Sequence, residues 1–181
     1  MTGERPHCLV IGVGPGTGLA CVRRFVGAGY TVSMIARHEG RLASWAEEII
    51  DTVAYQSDIT DLDGFRATLE RIKAEQGVPK VIVYNASLAT FAPYSELDPA
   101  DFERNFRANT TGLLVTAQVF APDMIEGDGG ALIITGNTSA RRGTPRFVGF
   151  APTKASRRIL GESLARELGE LCPNLVFEHL S

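Results

Sequence analysis

At 181 residues the chain is long enough for one domain with a sizeable core, and its 44% apolar and 22% charged residues are ordinary for a globular protein. A formal charge of −3 argues against a nucleic-acid surface, which needs dense Lys and Arg on one face. Three sparse cysteines (Cys8, Cys21, Cys172) suit a reducing compartment rather than a disulfide framework, and with three scattered histidines (His7, His38, His179) they offer no metal site. No apolar run nears the ~18 residues of a membrane span, and the glycine-broken start is too short for a signal peptide, so a cytoplasmic protein without membrane contact is expected.

The first apolar run, CLVIGV, predicts a buried strand, and residues 16–28 a helix stopped by Gly29. TVSMIA predicts the second strand. Residues 41–50 follow as a helix with Leu42, Trp45 and Ile49 at helical spacing. TVAYQ is a short third strand. Asp61 caps a helix that carries Phe65, Leu69 and Ile72 on one face and ends at Gly77. VIVY is the fourth strand, and Asp98 before Pro99 starts a helix running to about Met124. ALIIT is the fifth strand. A loop then leads to the helix holding Lys154, which ends before Pro173, and LVFEHL closes as a sixth strand. No repeat or linker stands out, so residues 1–181 are taken as a single domain. Alternation of helices with continuously apolar strands predicts an α/β doubly wound parallel sheet, a Rossmann fold, of about six strands with helices on both faces. Ligands then belong at the carboxyl ends of the strands.

Several loops at that edge carry chemistry. Gly12, Gly16 and Gly18, with Gly14 and Thr17 between them, follow the first strand and open a helix. Glycine permits the sharp turn and lets backbone N–H groups approach a pyrophosphate without a Cβ in the way. No Gly-Lys-Ser/Thr follows, which removes a Walker loop. The second strand ends Ile35-Ala36-Arg37, without the acid that an NAD site places on its ribose hydroxyls. Arg37 suits a 2′-phosphate, with His38 and Arg41 close behind, so NADP is favoured over NAD; the other reading of Arg37 is a solvated strand-end arginine. Arg141, Arg142, Arg146, Arg157 and Arg158 form a local basic cluster, taken as a solvated patch.

With these residues in place the chain resembles the short-chain dehydrogenase/reductase family from about residue 7 to residue 180. Gly12, Gly16 and Gly18 match the family's cofactor loop, and Asp58 in SDITD matches its adenine-contacting acid. Asn85 and Ala86 in YNAS resemble the Asn-Asn-Ala-Gly turn. Asn109 matches the helix asparagine that holds a water in the proton relay, and Lys154 the lysine that binds the nicotinamide ribose. The resemblance also implies a small-molecule carbonyl or alcohol substrate and a homo-oligomer paired through the helices at 99–124 and 153–171. Leu88, Phe91, Tyr94 and Phe147 suggest an apolar substrate side.

Two departures bear on function. Counting back from Lys154 puts Phe150 where the family has its catalytic tyrosine and Asn137 where it has its serine; Ser139 is two positions off. The chain also ends after the sixth strand, before the family's usual Pro-Gly turn, substrate-covering segment and seventh strand, so it is either naturally short or a fragment. The expectation is an NADP-dependent oxidoreductase with a non-standard proton donor, in which Asn137, Phe150, Lys154 and Asn109 occupy the catalytic positions. The alternatives are a catalytically silent NADP(H)-binding subunit or sensor, and a structural partner with an empty pocket.

Overall fold

The computed structural model describes residues 5–172 and the backbone of 175–180. Its strands are β1 (His7–Ile11), β2 (Thr31–Ala36), β3 (Thr52–Gln56), β4 (Val81–Tyr84), β5 (Gly130–Thr135) and β6 (Leu175–Leu180). They form one six-stranded sheet in the order β3-β2-β1-β4-β5-β6, every neighbouring pair parallel. Strand order reverses between β1 and β4, where Ile11 is in register with Ile35 on one side and Tyr84 on the other. A doubly wound sheet opens its ligand crevice at such a reversal.

Every residue of β1 and β4 is buried, as a central strand covered on both faces requires. The pleat sorts them: Leu9 and Ile11 enter a core with Phe65, Leu69 and Phe120, whereas Cys8 and Val10 enter another with Val22, Met34 and Leu42. Helices α1 (Thr17–Val26) and α2 (Glu39–Glu48) cover the second face, where Trp45 packs against the core. The first face is covered by α3 (Leu62–Gln76), α5 (Gly112–Glu126) and α6 (Ala151–Leu171).

Local chemistry explains the helix ends. Asp61 caps α3 by accepting from Gly64 N at 3.2 Å, and Gly77 stops it at φ +78°. Asp98 caps α4 (Pro99–Phe106) by accepting from Ala100 N at 2.8 Å. The expected continuous helix at 99–124 is instead interrupted: Arg107–Thr111 form a π turn between α4 and α5. Its extra residue is too small a phase change to show in apolar periodicity, and π turns concentrate at functional sites. Helix α2 begins at Glu39, ahead of the expected Arg41. Among the described residues no helix is long and apolar enough to cross a membrane, and no group of three or more His, Cys, Asp or Glu is placed to hold a metal.

Candidate active site at the carboxyl edge of the sheet

Beyond the ends of β1 and β4 lies a cleft of about 370 Å³ whose walls include Gly12, Gly14, Arg37, Asp58, Asn85 and Ala86. Gly12 has φ +86°, and a Cβ there would lie 2.4 Å from Ala86 N. A Cβ on Gly18 would lie 2.8 Å from Gly12 O. Both glycines are therefore required for the loop to close on itself and on the end of β4. Gly12 N and Val13 N each donate to Ile35 O at 2.9 Å, which ties the loop to β2. Asn85 fixes its other side, donating from Nδ2 to Gly12 O at 2.8 Å. Asp58 Oδ1 accepts from Thr60 N at 2.9 Å and from Thr60 Oγ1 at 2.8 Å, so the acid is held by its own turn.

A second cavity of about 400 Å³ is lined by Thr17, Thr135, Gly136, Asn137 and Lys154 and shares Asn85 and Ser87 with the first. The two are halves of one groove across the strand reversal. Lys154 sits on the first turn of α6 and is only 4% exposed. Its Nζ lies 5.8 Å from the centroid of the Phe150 ring, a cation–π contact. Phe150 is the residue just before α6, and it is absent from the lining of either half of the groove. Its buried ring packs against Phe91 at 5.5 Å and Phe147 at 6.2 Å, and those two rings stand 4.8 Å apart. A parallel bridge from Ala92 to Phe147 fastens the two ring-bearing loops together. Tyr94 is exposed.

Asn137 lines the lysine half, and its buried Oδ1 has no hydrogen-bond partner among the described residues. An orphan of this kind is satisfied by a ligand donor or a water. Ser139 lines a different cavity of about 530 Å³ with Arg141, Arg142 and Arg158. Asn109 lies in the π turn, fully buried. Its Oδ1 accepts from Leu88 N at 3.0 Å, and its Nδ2 donates to Leu88 O at 2.7 Å and to Thr153 Oγ1 at 2.8 Å. The amide thus joins the loop after β4 to α6.

The basic cluster needs one correction. Arg157 is not solvated; it is 0% exposed. Its Nη1 donates to Ala86 O at 2.6 Å and its Nη2 to Thr135 O at 2.8 Å. The guanidinium also lies over Tyr84, 5.6 Å from the ring centroid. Burial lowers its pKa to about 10, which leaves it charged at neutral pH. Burial also pushes the Tyr84 phenol up, so it stays neutral and donates to Ala108 O at 2.8 Å. Arg157 stands three residues after Lys154 on α6, a spacing that makes the two neighbours on one face. That spacing is the sequence signal for it, and it was hidden by the neighbouring arginines.

The groove fits a dinucleotide. Helix α1 has Gly16 as its N-cap, with no side-chain cap and no acid in its first turn, and a Cβ on Gly14 or Gly16 would meet nothing within 4 Å. An uncapped helix N-terminus with open space before it is suited to a pyrophosphate. Arg37 and Asp58 line the half nearer β2 and β3, where they would serve the adenosine end. Lys154 and Asn137 line the other.

Fold and groove together define a doubly wound α/β domain with an open groove at the carboxyl edge of its parallel sheet. More narrowly, the chain belongs to the short chain dehydrogenase family, whose sequence pattern matches residues 6–171. An oxidoreductase of Sarocladium schorii is 29% identical over 161 residues, covering 88% of this chain and 65% of that protein. A carbonyl reductase (NADPH) of Sus scrofa is 29% identical over 166 residues, covering 90% of this chain and 66% of the relative. Among solved structures, a short-chain dehydrogenase from Streptomyces avermitilis superposes with a TM-score of 0.91 at 23% identity, over 99% of this chain and 65% of its own. A metagenomic short-chain oxidoreductase in complex with NADP gives 0.90 at 22% identity, over 96% and 80%. The chain thus spans less than two thirds of the length of these two relatives.

Proposed function

We propose that this chain forms the NADP(H)-binding and reaction edge of an oxidoreductase acting on a small carbonyl or alcohol, as an atypical family member without the usual serine and tyrosine. One observation carries the reading: Lys154, Asn137, Thr17 and Asn85 line a cavity that continues into the glycine-loop cleft. A bound nicotinamide supplies or accepts the hydride. Arg37 pairs with a 2′-phosphate, the glycine loop and the α1 N-terminus take the pyrophosphate, and Asp58 meets the adenine. Lys154 holds the nicotinamide ribose. Asn137 donates from Nδ2 to the oxygen of a carbonyl substrate, a role worth about 10²–10³ in rate for a side-chain donor. Phe150 has no titratable group, so the proton comes from Lys154 or from a water held near the main chain of Asn109. Loss of a positioned general acid costs about 10²–10⁴ in rate. The names of the NADPH-dependent carbonyl reductase relative and of the NADP-bound neighbour support the cofactor.

The packing of Phe150 favours a second reading. A buried ring fastened to Phe91 and Phe147 and facing the Lys154 ammonium suits a catalytically silent NADP(H)-binding subunit or sensor. We also infer that copies pair across α5 and α6, where Phe106, Leu114 and Ile159 line an apolar groove.

Titration with NADPH followed by steady-state assay on a panel of carbonyls tests both readings. Binding with slow NADPH-dependent turnover is expected. Binding without turnover, together with activity appearing in the double variant Phe150→Tyr, Asn137→Ser, selects the silent subunit. Absence of NADPH binding overturns both.

A further inference from the structure

Arg157 is the largest fully buried side chain among the described residues. No carboxylate pairs with it there, and its Nε has no partner. An unpaired interior charge is expensive, and an apolar side chain of similar length would fill the same space without that cost. The bonds of Arg157 to two main-chain carbonyls, which an apolar side chain would leave without those donors, offset part of that cost. Its position is more telling. The carbonyls that accept its two bonds belong to Ala86, in the wall of the adenosine half of the groove, and Thr135, in the wall of the lysine half. The guanidinium thus lies one peptide group beneath the groove floor. The lysine half already contains the Lys154 ammonium, and no acidic residue is among those lining it.

Two buried cations, with no anion among the described residues that line this half, form a positive field at the end where a nicotinamide would lie. The oxidised nicotinamide ring carries a positive charge and the reduced ring carries none. We propose that Arg157 is a specificity-determining residue that biases the groove toward the reduced cofactor, favouring NADPH over NADP⁺ through its charge rather than through contact. This rests on the NADP(H) reading above and goes beyond it, because it assigns a preferred redox form and the residue that sets it. Arg157 also positions the floor. Through Thr135, whose Oγ1 donates to Asn85 Oδ1 at 3.1 Å, it is linked to the asparagine that holds the glycine loop. Like charges on the order of 10 Å apart at an effective dielectric near 20 repel by roughly tenfold in an equilibrium constant. For a two-electron couple a tenfold bias raises the bound potential by about 30 mV.

The test is calorimetric titration of the full chain with NADPH and with NADP⁺, separately, for the native protein, Arg157→Met and Arg157→Lys, with thermal unfolding of each. The native protein should bind NADPH about tenfold or more tighter than NADP⁺. Arg157→Met should reduce that ratio by about tenfold, and Arg157→Lys should keep most of it. A structural role alone would weaken both forms equally, and an unchanged ratio in Arg157→Met overturns the proposal. If Arg157→Met does not fold, the native ratio still decides: equal affinities, or tighter NADP⁺, also overturn it. Failure of the native protein to bind either form is a different result, which removes the cofactor reading itself and this inference with it.

Discussion

Arg37 stands exposed at the end of β2, beside His38 and Arg41 in the cleft wall. If it grips a 2′-phosphate, Arg37→Ala removes a charge-assisted bond worth about 1.5–3 kcal/mol, or roughly 10–100-fold in NADPH affinity, and leaves NADH affinity nearly unchanged. Parallel titrations with the two cofactors measure this, and an equal loss for both would refute the assignment. His7 offers a stability prediction. Burial beside Ser33, whose Oγ is 2.9 Å from Nε2, lowers its pKa from 6.5 to about 4. The unfolded chain therefore takes up a proton before the native one does. The stabilisation is complete above about pH 6.5 and declines as pH falls toward 4, by on the order of 3 kcal/mol in all. Urea unfolding at pH 7.5 and 4.5 should show a steeper decline for the native protein than for His7→Gln, and identical slopes would reject the linkage. At this scale the placement of residues at the groove was legible where residue type and position agree, as at Gly12, Arg37 and Lys154. Arg157 was not, because burial is a tertiary property and a run of arginines looks solvated until a helix turns one of them inward.

The elements were legible where punctuation was chemical. Asp61, Gly77, Asp98 and Pro99 mark helix ends by capping or by backbone geometry, and the described helices begin or end there. The π turn at Arg107–Thr111 had no such mark, since its effect is a single extra residue within one apolar run. Its consequence is mechanical. It places Asn109 where one amide bonds both Leu88 and Thr153, linking the loop after β4 to the first turn of α6. Thr153 Oγ1 also donates to Phe150 O at 2.7 Å. Thr153→Val removes both bonds from a fully buried site and should lower stability by about 1–3 kcal/mol. Thermal and denaturant unfolding check this; a loss under about 0.5 kcal/mol, the level of a surface substitution, would mean the junction is held by packing alone.

For the whole molecule, the sheet and its two cores followed from strand and helix periodicity, whereas surfaces that meet other copies leave no such pattern. On α5 and α6, Leu114 is 37% and Ile159 50% exposed, beside Phe106 at 37%. If copies pair there, Ile159→Lys should shift the protein to monomer without lowering its unfolding temperature as a monomer. Sedimentation velocity over a range of concentrations reads the change, and a native protein that is monomeric throughout would exclude the pairing. The reversal of strand order between β1 and β4 has a consequence for heredity. Arg37 and Asp58 precede α3, while Asn85, Asn137 and Lys154 all follow it. On the roles proposed for these residues, choice of nucleotide and choice of reaction would be encoded in consecutive stretches of the chain, joined near Gly77. A crossover at that joint could exchange one trait and leave the other intact, so the two can diverge at separate rates within a single folded domain.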